Sequence, residues 1–198
     1  RTKSSHYFDG LTLFTMLDMI VEVAENPIVW ICGETPDLRL WVIHVARLMV
    51  CAGIASAWLC YVTYRLYENR VCRYTRYISW GAHTVFAADA VAILLVPWEK
   101  LGINAGESAL MPTYYYVVRI ESIFLIALSI GIAAYLFFHR ETREKRIACI
   151  FFMVFGLLPI FGILMQGCAK EWKLEGASIS IAILYIYVNT QNRQITMD

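Results

Sequence analysis

Nine ionisable side chains stand inside stretches that are otherwise apolar, and these are the residues with which the chain could do chemistry: Asp18, Glu22, Glu25, His44, Arg47, His83, Asp89, Arg119 and Glu121. Asp18, Glu22 and Glu25 follow i, i+4, i+7 spacing and share one helix face; His44 and Arg47, three apart, share another. A charge left alone in hydrocarbon costs at least about 2.5–3.5 kcal/mol even on insertion scales, so such groups must face one another, water or a ligand. Two arrangements satisfy that requirement. In the first, ion pairs pin helices together, Glu22 or Glu25 with Arg47, and Arg119 with Glu121 or with an acid of the first helix. In the second, the same groups line an outward-opening pocket, walled by Trp41, Tyr114, Tyr115 and Tyr116, that orients a small polar ligand. The five acids outnumber the two arginines, so a negative excess remains unless the histidines or acids bind protons, and a cationic ligand or a pH response would balance it.

Other chemistries find less support. No lysine lies inside an apolar stretch, which excludes a retinal Schiff base. His44 and His83 fall toward opposite membrane faces, which disfavours haem between them. The six cysteines form no CxxC pair and no Cys/His cluster with metal-ligand spacing, so no metal site is expected. Cys32 and Cys168 both fall at outer helix ends, where a disulfide and two free thiols remain equally open. GxSxG, HExxH and Walker-type motifs are absent, so no catalytic residue and no cofactor is assigned to this chain. A formal net charge of +1 gives no reason to expect a nucleic-acid partner.

The elements that must position these residues follow from hydropathy. With 59% hydrophobic and 17% charged residues in 198, and a mean hydropathy of +0.56, the chain is too apolar for an ordinary water-soluble domain. Windows of roughly 20 mostly apolar residues, the length a membrane helix needs, occur near 12–32, 41–64, 77–98, 113–138, 146–167 and 176–190. The expected fold is therefore all-α, a polytopic transmembrane helix bundle with six spans over 1–190, followed by the start of a cytoplasmic signalling helix over 191–198. The first span is the weakest, because its acidic stripe and Asn26-Pro27 must be shielded from lipid while Leu13, Met16, Leu17, Met19 and Ile20 cover the rest. Eleven of the 17 Lys and Arg fall in alternate loops and ends, four in the opposite loops, and Arg47 and Arg119 within spans. The positive-inside rule then places both chain ends in the cytoplasm of a multi-pass cell-membrane protein. Trp30, Trp41, Trp98 and Trp172 mark the outer boundary, and Tyr61, Tyr64, Tyr67, Tyr74 and Tyr77 the inner one. In this topology Glu25, Arg47 and Arg119 each lie about 9 Å below the outer boundary and can meet at one level.

The last span runs from lipid into polar sequence without Gly or Pro to stop it, as ASISIAILYIYVNTQNRQITMD. Leu184, Val188, Gln191 and Ile195 follow 4-3-4 spacing, which suits a short parallel coiled coil in a homodimer as well as it suits a single exiting helix. Over Leu157 to Asp198, LLPIFGILMQG and SISIAILYIYVNTQNRQITMD resemble the last two spans and linker of the polytopic membrane sensor modules that precede GGDEF diguanylate cyclase domains in Gram-positive bacteria. The segment from YFDGLTLF through the Arg-rich loop is similar in layout only. At the outer end of the fourth span ALMPTYYYVVRIE replaces the family's Arg-Gly-Pro-like residues, so no ligand residue is carried over. The resemblance implies a seventh span upstream of Arg1, a cyclase domain beyond Asp198 that condenses two GTP into cyclic di-GMP with its own metal ions, and a relay through the last span. A small multi-span transporter or ligand-binding membrane protein is the alternative.

Overall fold

The computed structural model describes residues 2–32, 38–68, 70–95, 113–139, 143–168 and 174–195, with some side chains at the helix ends excepted. These form six α-helices: α1 (Lys3–Cys32), α2 (Leu38–Leu66), α3 (Arg73–Leu95), α4 (Thr113–His139), α5 (Arg143–Cys168) and α6 (Leu174–Ile195). Four of them carry segments long and apolar enough to cross a membrane, Trp41–Leu66, Arg73–Leu95, Tyr116–His139 and Lys145–Met165. The described residues are thus those of a helical membrane protein. The expected spans near 12–32 and 176–190 are present as helices, but the apolar run of α1 is broken by its acids and the apolar part of α6, Ala177–Ile186, is short.

The chain divides into two compact units, Arg1–Leu125 and Ile126–Asp198. In the first, α2 is the central element and both α1 and α3 pack on it. From Ala52 to Tyr64 every residue except Ala57 is buried, as expected of a helix that is apolar all round. Small residues let its neighbours approach. A Cβ added at Gly53 would sit 2.7 Å from the ring of Phe14 on α1, and Ser56 Oγ donates to the Ala82 carbonyl of α3 at 3.3 Å. α2 ends on Glu68 with φ of 56°, a left-handed helix stop built without glycine. α3 then starts from Cys72, whose N–H donates to Thr75 Oγ1 at 3.0 Å, a side-chain cap for the new helix.

α1 shows two unlike faces. Ser4, Leu11, Thr15 and Asp18 are buried and Phe8, Glu22 and Glu25 half-buried, one stripe at alternating steps of four and three. Leu13, Met16, Met19, Ile20 and Val23 are exposed on the other side, the division expected from the spacing of the acids.

In the second unit α5 and α6 pack together. Phe155 and Tyr185 stack at 4.2 Å and Phe151 and Tyr185 at 5.3 Å, while Gly156 lies beneath Ile130 where a Cβ would sit 2.8 Å from its side chain. Pro159, buried inside α5, withholds the N–H that would otherwise bond the Phe155 carbonyl. On α6, Ile179, Ala182, Ile183 and Ile186 are buried, while Leu184 and Val188 are exposed.

Candidate functional site

The stripe on α1 delivers Glu25 to α2, about six turns beyond Ser4, its first buried residue. Glu25 Oε2 accepts a hydrogen bond from Arg47 Nη1 at 2.6 Å, and His44 Nδ1 lies 4.0 Å from Glu25 Oε1. Both partners of the ion pair are largely buried, with 14% of the Glu25 and 16% of the Arg47 side chain exposed. A charge-assisted bond between desolvated partners is stronger than its exposed counterpart, and it holds the imidazole of His44 beside the same carboxylate. Val45, Leu48, Ala52, Ile93 and Val118 form an apolar cluster against which Ile28 and Trp41 pack, so residues of α1, α2, α3 and the start of α4 gather there.

Of the remaining expected site residues, Asp18 and Arg119 are buried and Glu22 is half-buried. Asp89 of α3 and Glu121 of α4 come within hydrogen-bonding reach of each other, a pairing that spacing did not anticipate. Trp41 packs against the apolar cluster, Tyr116 is exposed, and the side chains of Tyr114 and Tyr115 lie outside the described residues. So do those of Cys32, Cys168, Gln191 and Ile195, as well as Trp98, Trp172 and Asp198. Among the described residues no group of three or more His, Cys, Asp or Glu could hold a metal ion, and Cys51, Cys60, Cys72 and Cys149 are not disulfide-bonded.

A second polar cluster, at the other end of α1, α2 and α3, was not foreseen. Tyr7 Oη and Ser79 Oγ are hydrogen-bonded at 2.9 Å, and Cys60 Sγ lies 3.8 Å from the same Ser79 oxygen. The Tyr7 ring stacks on Tyr64 at 5.3 Å and meets the edge of His83 at 5.8 Å, and Lys3 Nζ stands 5.6 Å over the Tyr64 ring. His83 Nδ1 lies 2.5 Å from the carbonyl of Ser79, four residues back in its own helix. Tyr61 and Tyr64 were expected in a boundary belt with Tyr67, Tyr74 and Tyr77, yet both are buried, Tyr61 against Phe8 and Tyr64 against Tyr7. Tyr74 and Tyr77 are exposed. The signal that could have found this cluster is the Tyr7-Phe8 pair, three or four residues from Ser4 and Leu11 on the stripe, opposite Tyr61 and Tyr64 spaced by three.

Outside the apolar spans, Cys72 has a thiol held below its ordinary range. Desolvation opposes ionisation, but the backbone N–H and hydroxyl of Thr75, together with the Tyr74 N–H, favour the thiolate and outweigh it.

No family model matches the chain, and no curated protein and no solved structure is similar to it.

Chemically, the Glu25–Arg47–His44 group offers a carboxylate, a guanidinium fork and an imidazole at one level of a membrane-embedded unit. Such a set can exchange its internal ion pair for contacts to a polar ligand, because the carboxylate accepts from cations and donors while the guanidinium donates to anions and acceptors.

Proposed function

We propose that this chain is a membrane sensor and signal-relay module with six spans and both chain ends in the cytoplasm. A small polar ligand, a cation by the excess of buried acids, binds among Glu22, Glu25, His44, Arg47, Asp89, Arg119 and Glu121. Binding shifts α1 and α4 against α2 and α3, and α6 carries the change to a GGDEF domain that makes cyclic di-GMP, in a homodimer joined through α6. GTP and Mg²⁺ belong to that output domain.

The observation that carries this reading is α6. It continues as one helix from Leu174 to Ile195, past the end of its apolar stretch and into polar NTQNRQI, with Leu184 and Val188 turned away from the buried face. A helix that leaves the membrane unbroken transmits rotation or displacement over its whole length.

The test begins with the codons beyond Asp198. A cyclase opening motif there supports the relay; another span or a stop ends it. In the intact protein, Arg47→Ala is expected to change cyclic di-GMP output per inserted molecule, and unchanged output would leave Glu25–Arg47 as a helix-pinning pair only. The transporter alternative calls for substrate flux in liposomes that hold this chain alone.

A further inference from the structure

Exposure on α3 is confined to one side. At about 100° per residue, Arg73, Tyr77, Trp80, Thr84, Val91 and Leu95 fall on a single arc, all exposed, while Thr75, Ser79, Ala82 and Ile93 are buried opposite them. Along that arc residue chemistry changes in order: cations first, then amphipathic aromatic rings, then small side chains, then branched apolar ones. A helix face that lipid merely wets needs no such order, since any apolar mixture serves.

The cationic end is built. Arg73 Nε donates to Tyr77 Oη at 3.4 Å and its guanidinium lies 5.6 Å from the Tyr77 ring centroid, which steadies the side chain along the face. Arg70 and Arg76 are exposed beside it, and Glu68 is the one acid between Tyr67 and Ala88. Trp80, 72% exposed, follows one turn inside Arg76. Beyond it Thr84 leaves the face low, and a Cβ added at neighbouring Gly81 would meet nothing within 4 Å. From Trp80 to Val91 the helix rises about 16 Å, close to the roughly 15 Å that one leaflet contributes to a hydrocarbon core of about 30 Å.

We propose that this face of α3 seats an anionic phospholipid, with its phosphate on Arg73 and Arg76, its ester region against Tyr77 and Trp80, and one acyl chain along Thr84 to Val91. The proposal rests on α3 spanning the bilayer but not on the sensor reading. Charge complementarity selects the headgroup: three exposed arginines clustered at the start of α3 attract an anionic lipid and give a zwitterionic one no advantage. The seat would anchor the first unit at a fixed depth and rotation.

Native mass spectrometry of the full chain, extracted from bilayers of equal phosphatidylglycerol and phosphatidylcholine, tests this. Preferential retention of phosphatidylglycerol is expected, and Arg73→Gln with Arg76→Gln should lower that preference about 25-fold, at about fivefold for each cation. Thr84→Phe should reduce retention of both lipids while leaving the preference intact. Equal retention of the two lipids by the wild type, or a preference untouched by the double substitution, overturns the seat. So does a Trp80→Cys variant that crosslinks to a second copy in the bilayer, which would show protein covering this face. A chain that stays in water without detergent and retains neither lipid would instead remove the membrane reading itself.

Discussion

At the Tyr7 end of α1, α2 and α3 the buried contacts are neutral, a stacked tyrosine pair, a tyrosine-to-serine hydrogen bond and a buried thiol, with exposed Lys3 over the Tyr64 ring at their margin. At the Glu25 end the same first two helices are joined by an ion pair with an imidazole alongside, beside an apolar cluster. Neutral stacking gives up little when its surroundings change, because neither ring nor hydroxyl carries a charge that must be compensated. An ion pair in a low dielectric is all or nothing. Breaking it exposes two charges that need new partners, and a ligand able to supply them gains the whole difference. The three helices are thus fastened at one end and exchangeable at the other, the arrangement a binding site near Glu25 would require.

The largest expected effect separates the ends directly. Arg47→Ala leaves Glu25 buried without its fork and should cost about 3–5 kcal/mol, read as a fall in thermal stability in detergent. The exchange Glu25→Arg with Arg47→Glu should recover much of that loss, and failure to recover any would show that the site depends on more than the pair. Midway between the ends, Gly53→Ala drives a Cβ into the Phe14 ring and should cost about 1–3 kcal/mol, relieved by Phe14→Leu. The control is Gly10→Ala on α1, where a Cβ meets nothing within 4 Å, and which should be neutral or gain up to about 1 kcal/mol of helix propensity. At the Tyr7 end, Tyr7→Phe keeps the stack and loses only the bond to Ser79, about 0.5–1.5 kcal/mol. A loss as large as that of Arg47→Ala would erase the contrast between the ends. Smallest is a rate: the Cys72 thiol, favoured as thiolate, should react with a maleimide at a lower pH than an ordinary cysteine, and Thr75→Val should shift the profile upward toward the ordinary range.

Much of this architecture is legible from residue spacing. The windows at 41–64, 77–98, 113–138 and 146–167 correspond to the four long apolar helices, because length and hydropathy are properties of the chain alone. The stripe of Asp18, Glu22 and Glu25 and its pairing with Arg47 were readable for a related reason: depth follows from counting residues, and a buried charge admits few partners. What spacing did not supply is rotation. Whether Tyr61 and Tyr64 point to lipid or to α1 depends on how α2 turns against its neighbours, and Gly53 with Phe14 sets that turn. The same holds for Asp89 and Glu121, which meet because α3 and α4 present them to each other. Arg119, two positions from Glu121, falls on a different side of the helix.

The polar stripe of α1 also bears on how the protein is made. On the six-span reading, a ribosome delivers α1 to the bilayer before α2 exists, with three acids exposed to hydrocarbon and no partner yet synthesised. Each acid at the helix centre weighs against insertion by about 2.5–3.5 kcal/mol. α1 should therefore wait at the translocation channel and enter as a hairpin with α2, once Arg47 has emerged to take Glu25. Assembly of the ion pair is then a checkpoint of biosynthesis, passed before any stimulus is met.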